Sequence, residues 1–475
     1  MSSDRAQTVA VLGGGIAGLA AAYSLRRQRP DLEVTVYEGS SVVGGKLRVS
    51  ELAGLPVDEG AEAMLNRRPE AVALTHAAGL TDDLVHPQTL SSGVWTRGAV
   101  RPLPPTVMGI PTDLKALVRS GIVHPSTLAR VQADRVLPAS AAAATGADVS
   151  VGALVGQRLG REVRDRLVEP LLGGVYAGHA DQLSLRAGVP QIAALVDRDR
   201  SLLAAAAEQA ERGRGNRVPV FAGIRGGIGR LPPAVAEASG AVIRTGAMVR
   251  GLARTEHGWR VLLGPTREET TVEVDGVVVA LPASPASRLI RDAVPAGAAR
   301  LAEIEYASVA LAAFAFRREA VADRLPGSGF LVPPVDGRTI KAATFSSHKW
   351  SWLADADPDL VVVRTSLGRH REERDLQRDD VDLAAVALAD LHRATGMDAT
   401  PVATRVTRWG GALPQYAVGH ADRVATVRAA VAGVPALAVC GAAYDGVGIP
   451  ACVASAEKAV TQVLAGLDGR ETIRS

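Results

Sequence analysis

The stretch VAVLGGGIAGLAAAYSLRRQ, residues 9–28, decides how the rest of the chain is read. Residues 8–12 (TVAVL) are β-branched and apolar and run directly into Gly13-Gly14-Gly15, after which Ile16, Leu19, Ala20 and Tyr23 recur at helical spacing. That order predicts strand, turn and helix. The helix is expected to end near Arg29-Pro30, and EVTVY at 33–37 alternates as a second strand before Glu38. Gly13-x-Gly15-x-x-Gly18 is the dinucleotide fingerprint, and Glu38 falls 20 residues beyond Gly18, where an acid can accept ribose hydroxyls. Gly13 permits the tight turn, Gly15 lets the backbone approach a pyrophosphate, and Gly18 lets the helix pack on the strand. The helix N-terminus then offers its N–H groups to the anion. An acid at position 38 favours a free 2′-hydroxyl, as in FAD or NAD, over NADP.

Working outward, 475 residues exceed one compact core and predict two or three lobes. From about 85 to 215 the texture turns to helical segments broken by Pro and Gly, such as VGALVGQRLGREVRDRLVEPLL; the alanine-rich patch at 139–147 reads as a helix end or loop. Strand-like runs return at 241–244, 259–263, 272–281, 308–316 and 360–367. The tail repeats the opening order, with a strand at 436–440, a glycine-rich turn at 441–448 and a closing helix at about 451–466. We therefore expect an α/β chain whose nucleotide-binding domain is Rossmann-type and built from both ends. Its parts are 1–85, 216–290 and 411–475; a helical insertion of substrate or membrane type occupies 86–215, and a mixed β substrate domain 291–410.

Composition narrows the function classes. Hydrophobic residues at 47% against 22% charged describe a soluble globular chain. The formal net charge is +3, and lysine occurs only at 46, 115, 341, 349 and 458. No long basic run, aromatic-interleaved basic patch or zinc-ligand spacing is present, so no nucleic-acid partner and no metal site are expected. Cys440 and Cys452 cannot form a disulfide framework, which fits a reducing compartment. MSSDRAQT at the start has no apolar region of the signal-peptide kind, and no run of about 18 uncharged apolar residues follows. A cytoplasmic protein is expected, with membrane contact at most peripheral.

Past Glu38 the chain continues YEGSSVVGGKLRV, with a second glycine pair at 44–45 and cations at 46 and 48, and reaches VDEGAEAM at 57–64. The segment 9–64 resembles the flavin amine oxidase and phytoene desaturase superfamily. Within it, VEPLLGGVYAGHADQLSLRAGVPQI (168–192), FAGIRGGIGRLPPAVA (221–236), RWGGALPQYAVGHADRV (408–424) and CGAAYDGVGIPACVASA (440–456) look like the porphyrinogen oxidases of haem biosynthesis. The resemblance covers essentially the whole chain and implies FAD as cofactor. It places Gly13, Gly14, Gly15, Ile16, Ala17 and Gly18 at the pyrophosphate, Glu38 with Gly39 at the ribose, and Gly45 with Lys46 near the flavin. Gly60, Ala61, Glu62 and Ala63 line the flavin, Val249 lies near the adenine, and Trp409, Val447, Gly448 and Ile449 approach the cofactor.

The activity so implied is oxidation of coproporphyrinogen III to coproporphyrin III, with oxygen as acceptor, in three two-electron steps releasing hydrogen peroxide. The flavin carries the chemistry and no protein group is assigned as catalytic. His179, His348 and His420 are read as structural. A flat polycarboxylate substrate asks for an apolar slot with Arg or Lys at its rim. Some mitochondrial family members carry an arginine where this chain has Ser92. Protoporphyrinogen IX is the alternative substrate; an amine oxidase, a carotenoid desaturase and a non-catalytic binder similar to the dissociation inhibitors are the remaining classes. The partner left open is a ferrochelatase met in transient contact.

Overall fold

The run TVAVL folds as the strand Thr8–Leu12, which in the computed structural model stands at the centre of a five-stranded parallel sheet. The structure describes residues 6–139, 145–213, 215, 218–265, 267–321 and 324–474. Residues 1–5 of the amino-terminal reading, and 140–144 of the alanine-rich patch, lie outside that set. Across the sheet the order is Val242–Arg244, Glu33–Tyr37, Thr8–Leu12, Gly276–Val279, Leu437–Val439. Both faces are buried, as a parallel sheet requires. Val9, Val11, Val34, Val36, Val278 and Ala438 pack under the helices Ile16–Gln28 and Ile449–Arg474. Ala10, Leu12, Val277, Val279 and Val439 face the opposite core with Ala283–Ile290, Pro295–Ala302 and His420–Ala432. The period of two along each strand thus sorts side chains between two cores.

The run 272–281, expected as one strand, is two. Thr270–Val274 closes a three-stranded antiparallel sheet with Val249–Arg254 and Trp259–Leu263, and Gly276–Val279 joins the parallel sheet. The break falls at Asp275, whose carboxylate accepts from Thr8 N at 2.9 Å and Thr8 Oγ1 at 3.0 Å. A side chain tied to the neighbouring strand is what turns the chain from one sheet into the other.

The second lobe is a seven-stranded sheet in the order Ala403–Pro414, Tyr306–Arg317, Leu360–Leu367, Ile340–Phe345, Gly329–Leu331, Gly93–Thr96, Ala99–Pro102. The helix Asp380–Thr395 covers one face through Leu383, Ala387 and Leu391, against Phe314, Phe316, Val361 and Val363. Two corrections to the sequence reading follow. Residues 93–102, inside the stretch expected to be a helical insertion, form two of these strands, because GVWT is buried throughout and pairs in parallel with Phe330 and Leu331. Residues 411–414, expected in the last part of the nucleotide domain, complete the strand Ala403–Pro414.

Among the described residues between Leu114 and Gly213 the chain is mainly a series of short helices, with their own core. A wide, π-type turn at Arg164–Val168 precedes the helix Glu169–Tyr176. Pro170 has no N–H to return to the carbonyl of residue 166, so the ordinary ladder cannot run through this point.

Candidate active site

The carboxyl ends of the parallel strands meet in a crevice ringed by glycines, at the point where the chain winds away from Thr8–Leu12 in both directions. Gly13 sits at φ +110, and a Cβ there would come within 2.6 Å of Ala280 O. At Gly18 a Cβ would overlap Gly13 O. Gly15 differs: its φ is −75 and nothing lies within 4 Å of where a Cβ would stand. Among the described residues nothing fills that space, so packing within the chain does not account for a glycine here. The helix Ile16–Gln28 starts there with no side-chain cap, which leaves the N–H groups of Ile16, Ala17 and Gly18 facing the crevice mouth for an anion.

Glu38 closes the turn. Its Oε2 accepts from Gly14 N at 2.7 Å and its Oε1 from Ser40 N at 2.8 Å. The segment leading to Val249 runs alongside, with Ala247 N donating to Glu38 O at 2.8 Å. A Cβ on Gly39 would stand 2.9 Å from Met248 Cε. Met248, 55% exposed and capping this corner, is a residue the sequence reading missed.

The second glycine pair docks backbone to backbone on the first. Gly44 N donates to Gly14 O at 2.8 Å, and a Cβ on Gly45 would lie 3.4 Å from Gly15 Cα. Lys46 follows, its ammonium donating to Ala412 O and lying 5.7 Å from the centre of the Tyr306 ring; burial draws its pKa down. From the other end of the chain, Gly446 N donates to Tyr416 Oη at 2.7 Å, and Tyr416 in turn donates to Ala442 O at 2.6 Å. Val447 and the exposed Gly448 lead into Ile449, which packs in one core with Ile16 and Ala17. The closing helix therefore begins at the turn itself, two residues earlier than its sequence pattern suggests.

Gly60, Ala61, Glu62 and Ala63 lie where the two lobes join. A Cβ on Gly60 would overlap Lys46 O, and Trp409 Nε1 donates to Glu59 O at 2.6 Å. These four residues line a cavity of about 260 Å³ whose far wall is the seven-stranded sheet, through Leu311, Ala342, Thr344, Arg364 and Ser366, with Lys349 beside it. Glu62 is bridged by Lys349 Nζ at 2.7 Å and Arg364 Nη1 at 2.5 Å, and it accepts from Ser346 Oγ at 3.1 Å. Burial alone would raise the Glu62 carboxyl; the two cations overrule it and hold it at about 2. Arg364 also donates to Gly60 O at 2.5 Å, while its buried Nε has no partner among the described residues. Behind it, burial raises Asp58 to about 6, opposed by Arg364 and by N–H donation from Gly229 and Ile228. Lys349 and Arg364 were missed in the sequence. They stand 287 and 302 residues from Glu62, and the sheet, with the short helix Ser346–Lys349 that follows one of its strands, brings them to it.

His179 bridges Glu169 at 3.0 Å and Glu372 at 3.3 Å, and the hydrogen bond it donates to Glu169 leads the causes that raise its pKa. His420 is buried and stacked on Tyr416 at 3.9 Å. His348 stands edge-on to Phe345, and none of the three lines the cavity. Among the described residues no cluster of His, Cys, Asp and Glu could hold a metal, and no helix is long and apolar enough to cross a membrane.

A Rossmann-type crevice with two interlocked glycine turns, opening onto a cavity under a separate sheet, defines a dinucleotide-dependent oxidoreductase of the flavin type. Comparison with known proteins makes this specific. The model of the flavin containing amine oxidoreductase family matches residues 16–464, and the chain belongs to that family, with FAD as its cofactor. It is 37% identical to the coproporphyrinogen III oxidase of Mycobacterium tuberculosis, over 97% of this chain and 98% of the relative. It is 31% identical to the coproporphyrinogen III oxidase of Bacillus subtilis, over 97% and 99% respectively. A crystal structure of an Exiguobacterium protein superposes with a TM-score of 0.85 at 30% identity, covering 98% of this chain and 100% of that one.

Proposed function

We propose that the protein oxidises coproporphyrinogen III to coproporphyrin III in haem biosynthesis, in three two-electron steps with oxygen as acceptor and hydrogen peroxide as by-product. The observation that carries this reading is the cavity at the lobe junction, where Lys349 and Arg364 stand over one internal acid and the hydroxyls of Thr344 and Ser366 complete the wall. Donors of that kind suit the carboxylate arms of a large substrate. They oppose an amine substrate, whose ammonium would meet two cations against the single acid Glu62 in a buried site. The similarity to relatives named coproporphyrinogen III oxidase supports the same conclusion.

In this reading the turn Gly13 to Gly18 holds the FAD pyrophosphate, Glu38 and Gly39 meet the ribose, and the 247–249 segment, Met248 and Val249 included, covers the adenosine end. Gly45, Lys46, Gly60 to Ala63, Trp409 and Val447 to Ile449 surround the ring system. The flavin supplies a two-electron acceptor. The chain's own residues bind the macrocycle, exclude water from the junction and fix the substrate's edge by its carboxylates; no side chain is needed as a base.

Anaerobic mixing of the FAD-loaded protein with coproporphyrinogen III and, separately, with protoporphyrinogen IX tests this through bleaching of the flavin band. Rapid bleaching chiefly by the tetracarboxylate is expected. Preference for protoporphyrinogen IX moves the assignment to that substrate, and a bound flavin that neither bleaches overturns it.

A further inference from the structure

Two more buried cations lie along the cavity-bearing sheet. Lys341 occupies a bulge in the strand Ile340–Phe345, where pairing with Leu360–Leu367 skips from Ile340 to Ala342. It is 5% exposed, and beyond burial itself the group among the described residues that acts on its charge is a second cation, Arg369. Arg369, 6% exposed, gives one N–H to Val332 O at 2.9 Å. Neither side chain forms an ion pair among the described residues. The acids that act on Arg369 are Glu372 and Glu169. Both are committed elsewhere: Glu169 to His179 Nδ1 at 3.0 Å and Ala180 N at 2.7 Å, Glu372 to His179 Nε2 at 3.3 Å.

Buried charges are normally paired, because desolvation is not otherwise repaid. One residue joins the two: Val332 N donates to Lys341 O at 2.9 Å and Val332 O accepts from Arg369; burial first, and then Arg369, draws Lys341 down to about 7. Such a pair is complete only when an anion arrives. Its position says which one. Ala342 and Thr344, one and three residues further along the same strand, line the cavity already described. The helix Glu169–Tyr176 packs over this strand and its neighbour, Gly174 close to Leu331, with Val175 left 43% exposed.

We propose that Lys341 and Arg369 form a carboxylate-binding subsite that receives one carboxylate arm of the substrate. The inference rests on the polycarboxylate reading above and deepens it by naming residues that set specificity. An ammonium beside a planar guanidinium fits a carboxylate, and a vinyl group in its place would leave both cations unpaired. The pair therefore favours the tetracarboxylate over a dicarboxylate.

The test is titration of the oxidised, FAD-loaded protein with coproporphyrin III, followed by quenching of porphyrin fluorescence, in wild type, Lys341→Met, Lys341→Arg and Arg369→Gln. Lys341→Met and Arg369→Gln are expected to weaken binding tenfold or more, Lys341→Arg to keep most of it, and the tetramethyl ester to bind all four proteins alike. Since Lys341→Met removes an unpaired buried charge, its Tm should hold or rise. Unchanged affinity in Lys341→Met, or a Tm that falls together with affinity, overturns the subsite. Propionate, which carries no macrocycle, separates this from the underlying reading: it should raise the Tm of wild type but not of Lys341→Met, with inorganic phosphate at equal ionic strength doing less. If wild type answers to propionate in this Lys341-dependent way yet ignores the porphyrin, the macrocycle assignment alone fails. If it answers to neither, or equally to phosphate, the carboxylate subsite fails.

Discussion

Glu62 is a carboxylate whose charge is needed by its surroundings. With side chains only 7% to 16% exposed, Glu62, Lys349 and Arg364 form a buried triad in which one acid balances two bases. Removing the middle member of such a set leaves uncompensated charge, which typically costs about 3–5 kcal/mol. Glu62→Gln is therefore expected to lower stability by about 3 kcal/mol, read as a shift of the urea midpoint at constant slope. The pH dependence has a definite sign. A carboxyl held at about 2 when folded, against 4.5 as its ordinary value, adds stability that is fully present above pH 4.5. That contribution is lost as pH falls toward 2. Wild type and Glu62→Gln should converge in stability over that window, and parallel curves from pH 5 to pH 3 would show that the triad does not hold Glu62 ionised.

At the scale of elements, the two ends of the first helix were legible because their signals are local. Glycines at 13, 15 and 18 mark the turn, and Arg29-Pro30 marks the stop, so Ile16–Gln28 was expected within a residue or two. The strand 272–281 was misread because its interruption at Asp275 is dictated by Thr8, 267 residues away. Residues 93–102 were misread for the same kind of reason: GVWT becomes a strand by pairing with Phe330 and Leu331. Of the site, the glycine turns were visible as motifs, while Lys349 ends the short helix Ser346–Lys349 and Arg364 sits on the strand Leu360–Leu367, a convergence that no spacing announces. The turn makes a prediction that separates packing from ligand binding. Gly18→Ala forces a Cβ into Gly13 O and should destabilise the folded chain. Gly15→Val puts its side chain into empty space and should leave the apoprotein Tm nearly unchanged while flavin content, read from the visible band against protein absorbance, falls tenfold or more. Full flavin content in Gly15→Val would mean that the pyrophosphate lies elsewhere.

At the scale of the molecule, the glycine-ringed crevice is assembled from both ends of the chain, the strands Thr8–Leu12 and Leu437–Val439. Strand Thr8–Leu12 meets Gly276–Val279, which meets Leu437–Val439, and the first and last helices share one core. The cavity is likewise shared, with Gly60 to Ala63 on one side and the seven-stranded sheet on the other. A ligand that fills this junction binds the native arrangement of both lobes and nothing resembling it in the unfolded chain, so it must stabilise them together. At free FAD of 100 times its Kd the gain is about 2.7 kcal/mol. Tryptophans report on each lobe: Trp259 is buried in the nucleotide-binding lobe, Trp350 and Trp352 against the sheet lobe. Scanning calorimetry of the apoprotein with increasing FAD should show Tm rising with ligand concentration, and the FAD-saturated protein should melt in one transition that coincides with tryptophan fluorescence. Two transitions, only one of them shifted by FAD, would show that the cofactor is held by the glycine turns alone and that the sheet lobe contributes a cavity wall without sharing in the binding energy.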